Sequence, residues 1–344
     1  MAEAAGDRGR SALRPGPVQP VPTTAQTAAI VGGDAVERRA IATSGLSVFP
    51  VAISGKPFGW KTDDSTTDAI LDRFAAGGGN LIDTADSYSS GRSEVMIGNW
   101  MRSRRLRDQL VVATKVGKGA EHPGADARAI TTAVDASLGR LGTDRIDVLF
   151  LHVDDPDVPF EETLLAVDEL IRAGKVVAFG AADHTGNRLF EARIASAQLG
   201  VAPMAALQTS YNLMDRRDYE GELEHIVERV GLAVMPRFAL ASGFLTGRYR
   251  TKADFAASTR GVDVAQYFTR TGARVLAALD ETAAAHDAAL PTIALAWLLS
   301  KPNVVAPVVS ASSAEQVFDL IEAPTIRLTR HELTQLDRAS EPRR

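Results

Sequence analysis

The sequence predicts an α/β protein with a single (β/α)8 TIM barrel, an N-terminal β-hairpin and a C-terminal helical extension. About eight short apolar segments alternate with helical patterns, and the composition does not change between them. Such alternation predicts a parallel sheet. No Gly-x-Gly-x-x-Gly turn follows these segments, which favours a closed barrel over a doubly wound sheet. The 344 residues fit one barrel with insertions or two small domains.

The predicted elements begin with two extended segments, residues 36–42 and 46–53, on either side of a Ser-Gly turn. This pattern indicates a hairpin whose second segment leads into the barrel. Ser65 then begins a helix in which Ile70 and Phe74 share an apolar face. Strands with apolar runs are predicted at residues 81–83, 110–115, 146–152, 176–181, 205–208, 232–236 and 304–309. Helices with a 3.6-residue apolar period are predicted at residues 94–102, 127–141, 160–173, 187–199, 222–230, 272–286, 292–299, 314–321 and 330–339.

Two segments fall outside this alternation. Residues 1–35 are rich in Ala, Gly, Pro and Thr and lack the apolar h-region of a signal peptide, which predicts a disordered N-terminal tail. The barrel domain is therefore expected to span residues 36–344. Residues 248–266 fit no βα unit and indicate a long loop or insertion, a kind of segment that often forms a lid.

The composition argues against several classes of function. The net charge is -5 and no basic stripe is present, so nucleic acid is not an expected partner. No apolar run approaches the roughly 20 residues that a membrane span needs. The absence of cysteine excludes disulfides and thiolate chemistry, and the histidines have no metal-ligand spacing. A cytoplasmic protein that acts on a small molecule is expected, of an oligomeric state that the sequence does not reveal.

Four polar residues follow the ends of three consecutive predicted strands, namely Asp83, Tyr88, Lys115 and His152. In a barrel these strand ends meet at one mouth, so residues far apart in sequence become neighbours. Each residue alone is more often a solvated rim residue, because charged side chains are mostly exposed. Their occurrence in consecutive units favours a shared site.

These four side chains indicate chemistry on a carbonyl group. A tyrosine hydroxyl, with a pKa of about 10, is a poor acid at neutral pH unless its anion is stabilised. A neighbouring Lys115 ammonium would lower that pKa, and Asp83 would keep the lysine charged and in place. A neutral His152 can donate a hydrogen bond to a substrate carbonyl. The set suits protonation of the alkoxide that forms in carbonyl reduction.

The chain resembles the aldo-keto reductase family over roughly residues 36–339. The matching segments are IDTADSYSSGRSE, VVATKVG, DVLFLHVDDP, ALQTSYNLMDR, ALASGFLTGRYR and VVSASSAEQVFDLIEA. The resemblance implies that Tyr88 is the general acid/base, tuned by Lys115 and Asp83, and that His152 orients the carbonyl. It further implies NADPH-dependent reduction of an aldehyde or ketone, with sugars and natural-product intermediates among the candidates.

The resemblance also assigns residues to cofactor and substrate. Asp183 and Gln208 correspond to ligands of the nicotinamide carboxamide, and Arg237 or Phe238 to the aromatic residue that stacks on the ring. The turn under the pyrophosphate corresponds to Leu240, Ser242, Gly243 and Leu245. The positions that hold the 2′-phosphate and adenine correspond to Ser310, Ser312, Gln316 and Asp319. Residues expected at the substrate mouth are Phe58 and Trp60, and His184 is expected to be a solvated loop residue.

Several of these positions depart from the family pattern. Ala182 and Asp183 replace the usual Ser-Asn pair, and while Ala offers no side-chain hydrogen bond, a carboxylate can only accept one. Arg237 stands where an aromatic residue is usual, and its charge is unsuited to a position beside a nicotinamidium. Ser312 replaces a frequent Arg, which weakens phosphate recognition. NADPH is the expected cofactor, and NADH stays open.

Three alternatives would use the same residues. A cofactor-binding regulatory subunit with little turnover would account for the altered Ala182-Asp183 pair. A redox-neutral epimerase would use the same four polar residues. An aldolase would form a Schiff base on Lys115, although a lysine paired with an aspartate is a weak nucleophile. The sequence identifies neither the substrate nor the direction of the reaction.

Overall fold

Two antiparallel hairpins precede the barrel. The computed structural model describes residues 29–31, 34–251, 253–254 and 261–341. β1 (Ala29–Val31) pairs with β2 (Asp34–Val36), and β3 (Arg39–Ala40) pairs with β4 (Ser47–Val48). The second hairpin contains the predicted Ser-Gly turn, so the predicted N-terminal hairpin is confirmed. The predicted tail, residues 1–35, lies outside the described residues except for the part in the first hairpin, and its disorder stays a prediction.

Eight parallel strands form the barrel. They are β5 (Ala52–Ser54), β6 (Leu81–Asp83), β7 (Val111–Val116), β8 (Ile146–Leu151), β9 (Val176–Ala182), β10 (Ala206–Ser210), β11 (Ala233–Arg237) and β12 (Val308–Val309). The hydrogen-bonded order runs from β11 back through β5 to β12. A parallel bridge between Val234 and Val304 then joins the two ends of the sheet. The predicted (β/α)8 barrel is therefore confirmed.

The helices alternate with these strands. They are α1 (Asp64–Ala76), α2 (Arg92–Arg104), α3 (Ala127–Leu141), α4 (Phe160–Arg172), α5 (Gly186–Leu199), α6 (Glu222–Val230), α7 (Gly261–Ala265), α8 (Arg270–His286), α9 (Leu290–Leu299), α10 (Gln316–Glu322) and α11 (Arg330–Ala339). Side-chain caps explain several starting points: the Asp63 carboxylate accepts from the Thr66 amide, and the Thr329 hydroxyl forms a capping box with Glu332. The predicted C-terminal helical extension corresponds to α10 and α11.

The core has two layers. One set of buried side chains fills the inside of the barrel and includes small residues such as Ala113 and Ala206 beside the large Phe150. The other set packs the strands against the helices. Gly180 makes the inner layer possible, because a Cβ there would overlap the carbonyl oxygen of Ala206 and lie 2.9 Å from Cε1 of Phe150.

The predicted insertion at residues 248–266 is partly described. Residues 252 and 255–260 lie outside the described part of the chain, and α7 follows them. The insertion is thus not structureless: Val264 in α7 is fully buried, and the Tyr267 hydroxyl just beyond it donates to Asp215 at 3.0 Å.

No single helix within the described ranges is long and apolar enough to cross a membrane, but α8 and α9, which meet at 95°, pass that test as a bent pair on length and composition alone.

Candidate active site

The four predicted catalytic residues meet at the carboxyl ends of neighbouring strands. Asp83 ends β6, Lys115 lies near the end of β7 and His152 follows β8. Tyr88 begins a 3-10 turn between β6 and α2. All four side chains line one cavity of about 900 Å³ at this face of the barrel.

Lys115 is held in a buried ion pair. Its ammonium donates to both carboxylate oxygens of Asp83 and to the carbonyl oxygen of Thr84, each at 2.8 Å. Burial lowers the pKa of Lys115, but the Asp83 carboxylate and the Tyr88 hydroxyl together outweigh it, so the net pKa lies above the ordinary value. The ammonium is surrounded by acceptors and its charge is retained. This arrangement argues against Schiff-base chemistry on Lys115, which needs a free amine.

Tyr88 lies between this pair and His152. The Lys115 ammonium is 5.0 Å from the centre of the tyrosine ring, and the rings of Tyr88 and His152 meet edge to face with centres 6.4 Å apart. Burial raises the pKa of Tyr88, and the Lys115 charge offsets this rise only in part. The predicted lowering by Lys115 is present, but burial outweighs it, and the net pKa of Tyr88 lies above the ordinary value. The phenol is fully protonated at neutral pH, as a proton donor must be.

His152 is neutral at physiological pH. Burial and four surrounding cations lower its pKa to about 3. The cations are Lys115, Lys118, Arg237 and Lys56. Its Nδ1 atom is buried and has no hydrogen-bond partner among the described residues. A neutral imidazole carries one N–H and can donate it to an oxygen in the cavity.

The cavity extends from the four residues to the far rim of the barrel. Most of the positions assigned to cofactor line it, namely Asp183, Gln208, Arg237, Phe238, Leu240, Ser242, Gly243, Ser310, Ser312, Gln316 and Asp319. Leu245 is fully buried behind this wall. The turn between β11 and α7 has left-handed backbone at Ser242 (φ 56°) and Gly243 (φ 99°), which brings main-chain atoms to the cavity surface.

Gln208 and Gln316 already have partners inside the protein. The Gln208 amide donates to Asp83 at 2.5 Å, which ties β10 to the Asp83–Lys115 pair. The Gln316 side chain accepts from the backbone amide of Ser312 at 2.8 Å and so shapes the loop before α10. These bonds leave the side-chain oxygen of Gln208 and the NH2 group of Gln316 for contact with a ligand.

Asp183 and Arg237 form a bidentate ion pair across the cavity wall. Arg237 Nε donates to Asp183 Oδ1 at 2.9 Å, and Arg237 Nη2 lies 2.7 Å from Asp183 Oδ2. Asp183 directly follows β9 and Arg237 ends β11, and these two strands lie on either side of β10. Arg237 therefore does not present an unpaired charge to the cavity.

A family model described as the aldo/keto reductase family matches residues 52–341. The chain belongs to the aldo/keto reductase family. Its members are oxidoreductases that act on small carbonyl compounds and generally use nicotinamide cofactors.

Curated relatives of this aldo/keto reductase cover most of its length. An aldo-keto reductase, ausK, of Aspergillus calidoustus is 31% identical over 316 residues, which are 86% of this chain and 79% of the relative. A candidate aryl-alcohol dehydrogenase of Saccharomyces cerevisiae is 29% identical over 320 residues, 86% of this chain and 84% of the relative. A norsolorinic acid reductase of Aspergillus flavus is 28% identical over 314 residues, with shares of 86% and 79%.

Two further placements in this aldo/keto reductase differ from expectation. Phe58 is fully buried in the core and does not line the cavity, whereas Trp60 lines it and is 69% exposed. His184 is buried rather than solvated: its Nδ1 lies 3.1 Å from the Ala182 carbonyl oxygen, and its ring packs near Phe160. Phe58 was predicted at the substrate mouth and His184 in solvent, and in both cases the ring of a loop residue packs inward instead.

The Asp183–Arg237 ion pair escaped the sequence reasoning altogether. The sequence does contain a signal for this ion pair, because two departures from the family pattern introduce opposite charges. Asp183 and Arg237 lie 54 positions apart, and only the order of β9, β10 and β11 places them together.

Proposed function

We propose that this protein is an NADP(H)-dependent oxidoreductase that reduces an aldehyde or ketone to an alcohol, with Tyr88 as the proton donor. The observation that supports this most is the joint placement of Tyr88, the Asp83–Lys115 pair and a neutral His152 at one end of the cavity. The same four residues would serve the reverse reaction, with Tyr88 as the base.

Tyr88 would protonate the substrate oxygen as negative charge develops on it. Its phenol is protonated before the reaction, so the proton is present where it is needed. The phenolate left behind is stabilised by the Lys115 ammonium, which cannot move away because Asp83 and Thr84 hold it. Asp83 thus acts through Lys115 rather than on the substrate.

His152 would bind the carbonyl oxygen. Because its pKa is near 3, it is an N–H donor without a charge, and it polarises the carbonyl without competing with Tyr88 as an acid. Trp60 stands exposed at the mouth of the cavity and offers an apolar face to the rest of the substrate.

The size and lining of the cavity support binding of a nicotinamide dinucleotide. When bound, this cofactor supplies the hydride. The left-handed turn at Ser242 and Gly243 exposes main-chain atoms suited to a pyrophosphate, and the hydroxyls of Ser310 and Ser312 line the wall where a phosphorylated ribose would lie. Ser312 offers a hydroxyl where an arginine would offer a fork of charged donors, so a preference for NADPH over NADH would be modest.

The test is a fluorescence titration with NADPH and NADH, followed by a screen of carbonyl substrates. The screen begins with aryl aldehydes and polycyclic aromatic ketones, because relatives are named for aryl alcohols and norsolorinic acid. Tight NADPH binding together with consumption of NADPH in the presence of a carbonyl compound supports the proposal. Failure to bind either cofactor would overturn it.

A further inference from the structure

The Asp183–Arg237 ion pair joins two of the positions at which the expected nicotinamide site differs from the family pattern. Asp183 adopts left-handed backbone (φ 58°), and so does Phe238 (φ 51°), directly after Arg237. The guanidinium also lies 4.7 Å above the centre of the Phe238 ring. Strained backbone on both sides of a cavity is typical of a functional position.

The pair offers both kinds of hydrogen bond that a primary carboxamide requires. A carboxamide oxygen needs a donor, and its NH2 group needs an acceptor. The Ala182 side chain supplies neither. Asp183 has lone pairs beyond the two that Arg237 occupies, and Arg237 has five N–H donors, of which the ion pair uses two.

We propose that Asp183 and Arg237 act together as the recognition site for the nicotinamide carboxamide, and that their mutual neutralisation balances the affinities for oxidised and reduced cofactor. Asp183 accepts from the amide NH2, while a remaining N–H of Arg237 donates to the amide oxygen. This inference rests on the proposed function, since it requires a nicotinamide in the cavity. It also explains how Arg237 can lie beside a positively charged nicotinamide ring, because Asp183 compensates the guanidinium charge.

The balance follows from the charge of the ring. The oxidised nicotinamide ring is positive and the reduced ring is neutral, so a net charge beside the ring acts mainly on the oxidised cofactor. Loss of the Asp183 charge leaves Arg237 unpaired and weakens NADP+ binding more than NADPH binding. Loss of the Arg237 charge leaves an unpaired carboxylate and has the opposite effect on the ratio of the two affinities.

The experiment compares Asp183→Asn, Arg237→Gln and the double variant with the unaltered protein. Asn keeps the shape of Asp183 and tolerates left-handed backbone. Dissociation constants for NADP+ and NADPH are measured by calorimetry at one ionic strength, without substrate. The control is Asp135→Asn, which breaks the exposed pair with Lys175 outside the cavity. Thermal unfolding of every variant verifies that it is folded.

The ratio of the NADP+ to the NADPH dissociation constant should rise at least about threefold in Asp183→Asn and fall at least about threefold in Arg237→Gln. The double variant should return to near the original ratio with weaker binding of both cofactors. The control should not change the ratio. Equal ratios in all variants of a protein that binds NADPH would overturn this inference and leave the proposed function standing. An unaltered protein that binds neither cofactor would overturn both.

Discussion

Replacing Asp83 with asparagine should destabilise the fold strongly, because it removes the carboxylate that accepts two hydrogen bonds from a buried ammonium. Lys115 is 1% exposed, and its third hydrogen bond is to the Thr84 carbonyl oxygen. An asparagine NH2 would face a donor in either orientation, because the Lys115 ammonium donates to both carboxylate oxygens and the Gln208 amide donates to one of them. Removing one partner of a buried ion pair typically costs about 3–5 kcal/mol.

Deprotonation of Lys115 sets an upper bound on the free-energy cost of its unpaired charge. Lys115 can escape its unpaired charge by losing its proton, which at pH 7 costs about 4.6 kcal/mol for a group of ordinary pKa near 10.4. In Asp83→Asn the folded pKa of Lys115 would lie below the unfolded value, so stability should rise with pH. The deficit relative to the unaltered protein should therefore shrink between pH 7 and pH 9, by at most about 2.7 kcal/mol.

The assay is urea unfolding at pH 7 and pH 9, followed by the fluorescence of the 3 tryptophans. The unaltered protein should show no matching change from Lys115, since its raised pKa keeps it protonated in both states over this range. Asp135→Asn, which opens an exposed pair, should cost less than about 1 kcal/mol. A double variant, Asp83→Asn with Lys115→Met, should recover much of the loss. A deficit in Asp83→Asn that is the same at both pH values would refute the reasoning.

Three other predictions follow from the same geometry. Tyr88→Phe should lower turnover by about 10²–10⁴-fold while NADPH binding, measured by fluorescence, stays nearly unchanged; normal turnover would contradict the role of the phenol. His152→Asn should make stability less sensitive to acid, because below pH 6.5 the unfolded chain binds a proton that the folded His152 refuses until about pH 3. Between pH 7 and pH 5 the unfolding free energy of the variant should fall less than that of the unaltered protein, by up to about 1.4 kcal/mol per pH unit. Equal falls in the two proteins would argue against a neutral His152 ring in the folded state. Gly180→Ala should cost about 1–3 kcal/mol in urea unfolding, because the added methyl overlaps the Ala206 carbonyl oxygen; an unchanged midpoint would mean that β9 and β10 shift freely.

Local sequence signals were sufficient for much of the fold. The predicted bounds of α3, α6 and α11 agree with the structure to the residue. In α3 the cause is visible, since Asp126 caps the first turn and Gly142, in left-handed backbone, ends the last. The final strand was harder: of residues 304–309, the structure has a bridge at Val304 and a two-residue strand, β12.

The site was predictable where strand order alone fixes proximity. Asp83, Lys115 and His152 follow consecutive strands, so any parallel barrel brings them together. The orientation of loop side chains was not predictable from the sequence, because the inward packing of Phe58 and His184 depends on neighbours that no local pattern specifies. The net direction of the Tyr88 pKa shift was not predictable for a related reason: the sequence shows the lowering effect of the Lys115 charge but not the larger, opposing effect of burial on the phenol.

The barrel is closed by few hydrogen bonds at a junction that lies between the two walls of the cavity. Between β11 and the last strand segment, two hydrogen bonds at Val234 and one bridge complete a ring that is elsewhere joined by longer ladders. Local opening costs least where the fewest bonds must break. Arg237 lies at the end of β11 and Ser310 directly after β12, so the two walls of the cavity stand on either side of this junction. A ligand that contacted both walls would link β11 to the segment after β12, and its binding would oppose local opening of the barrel at this junction.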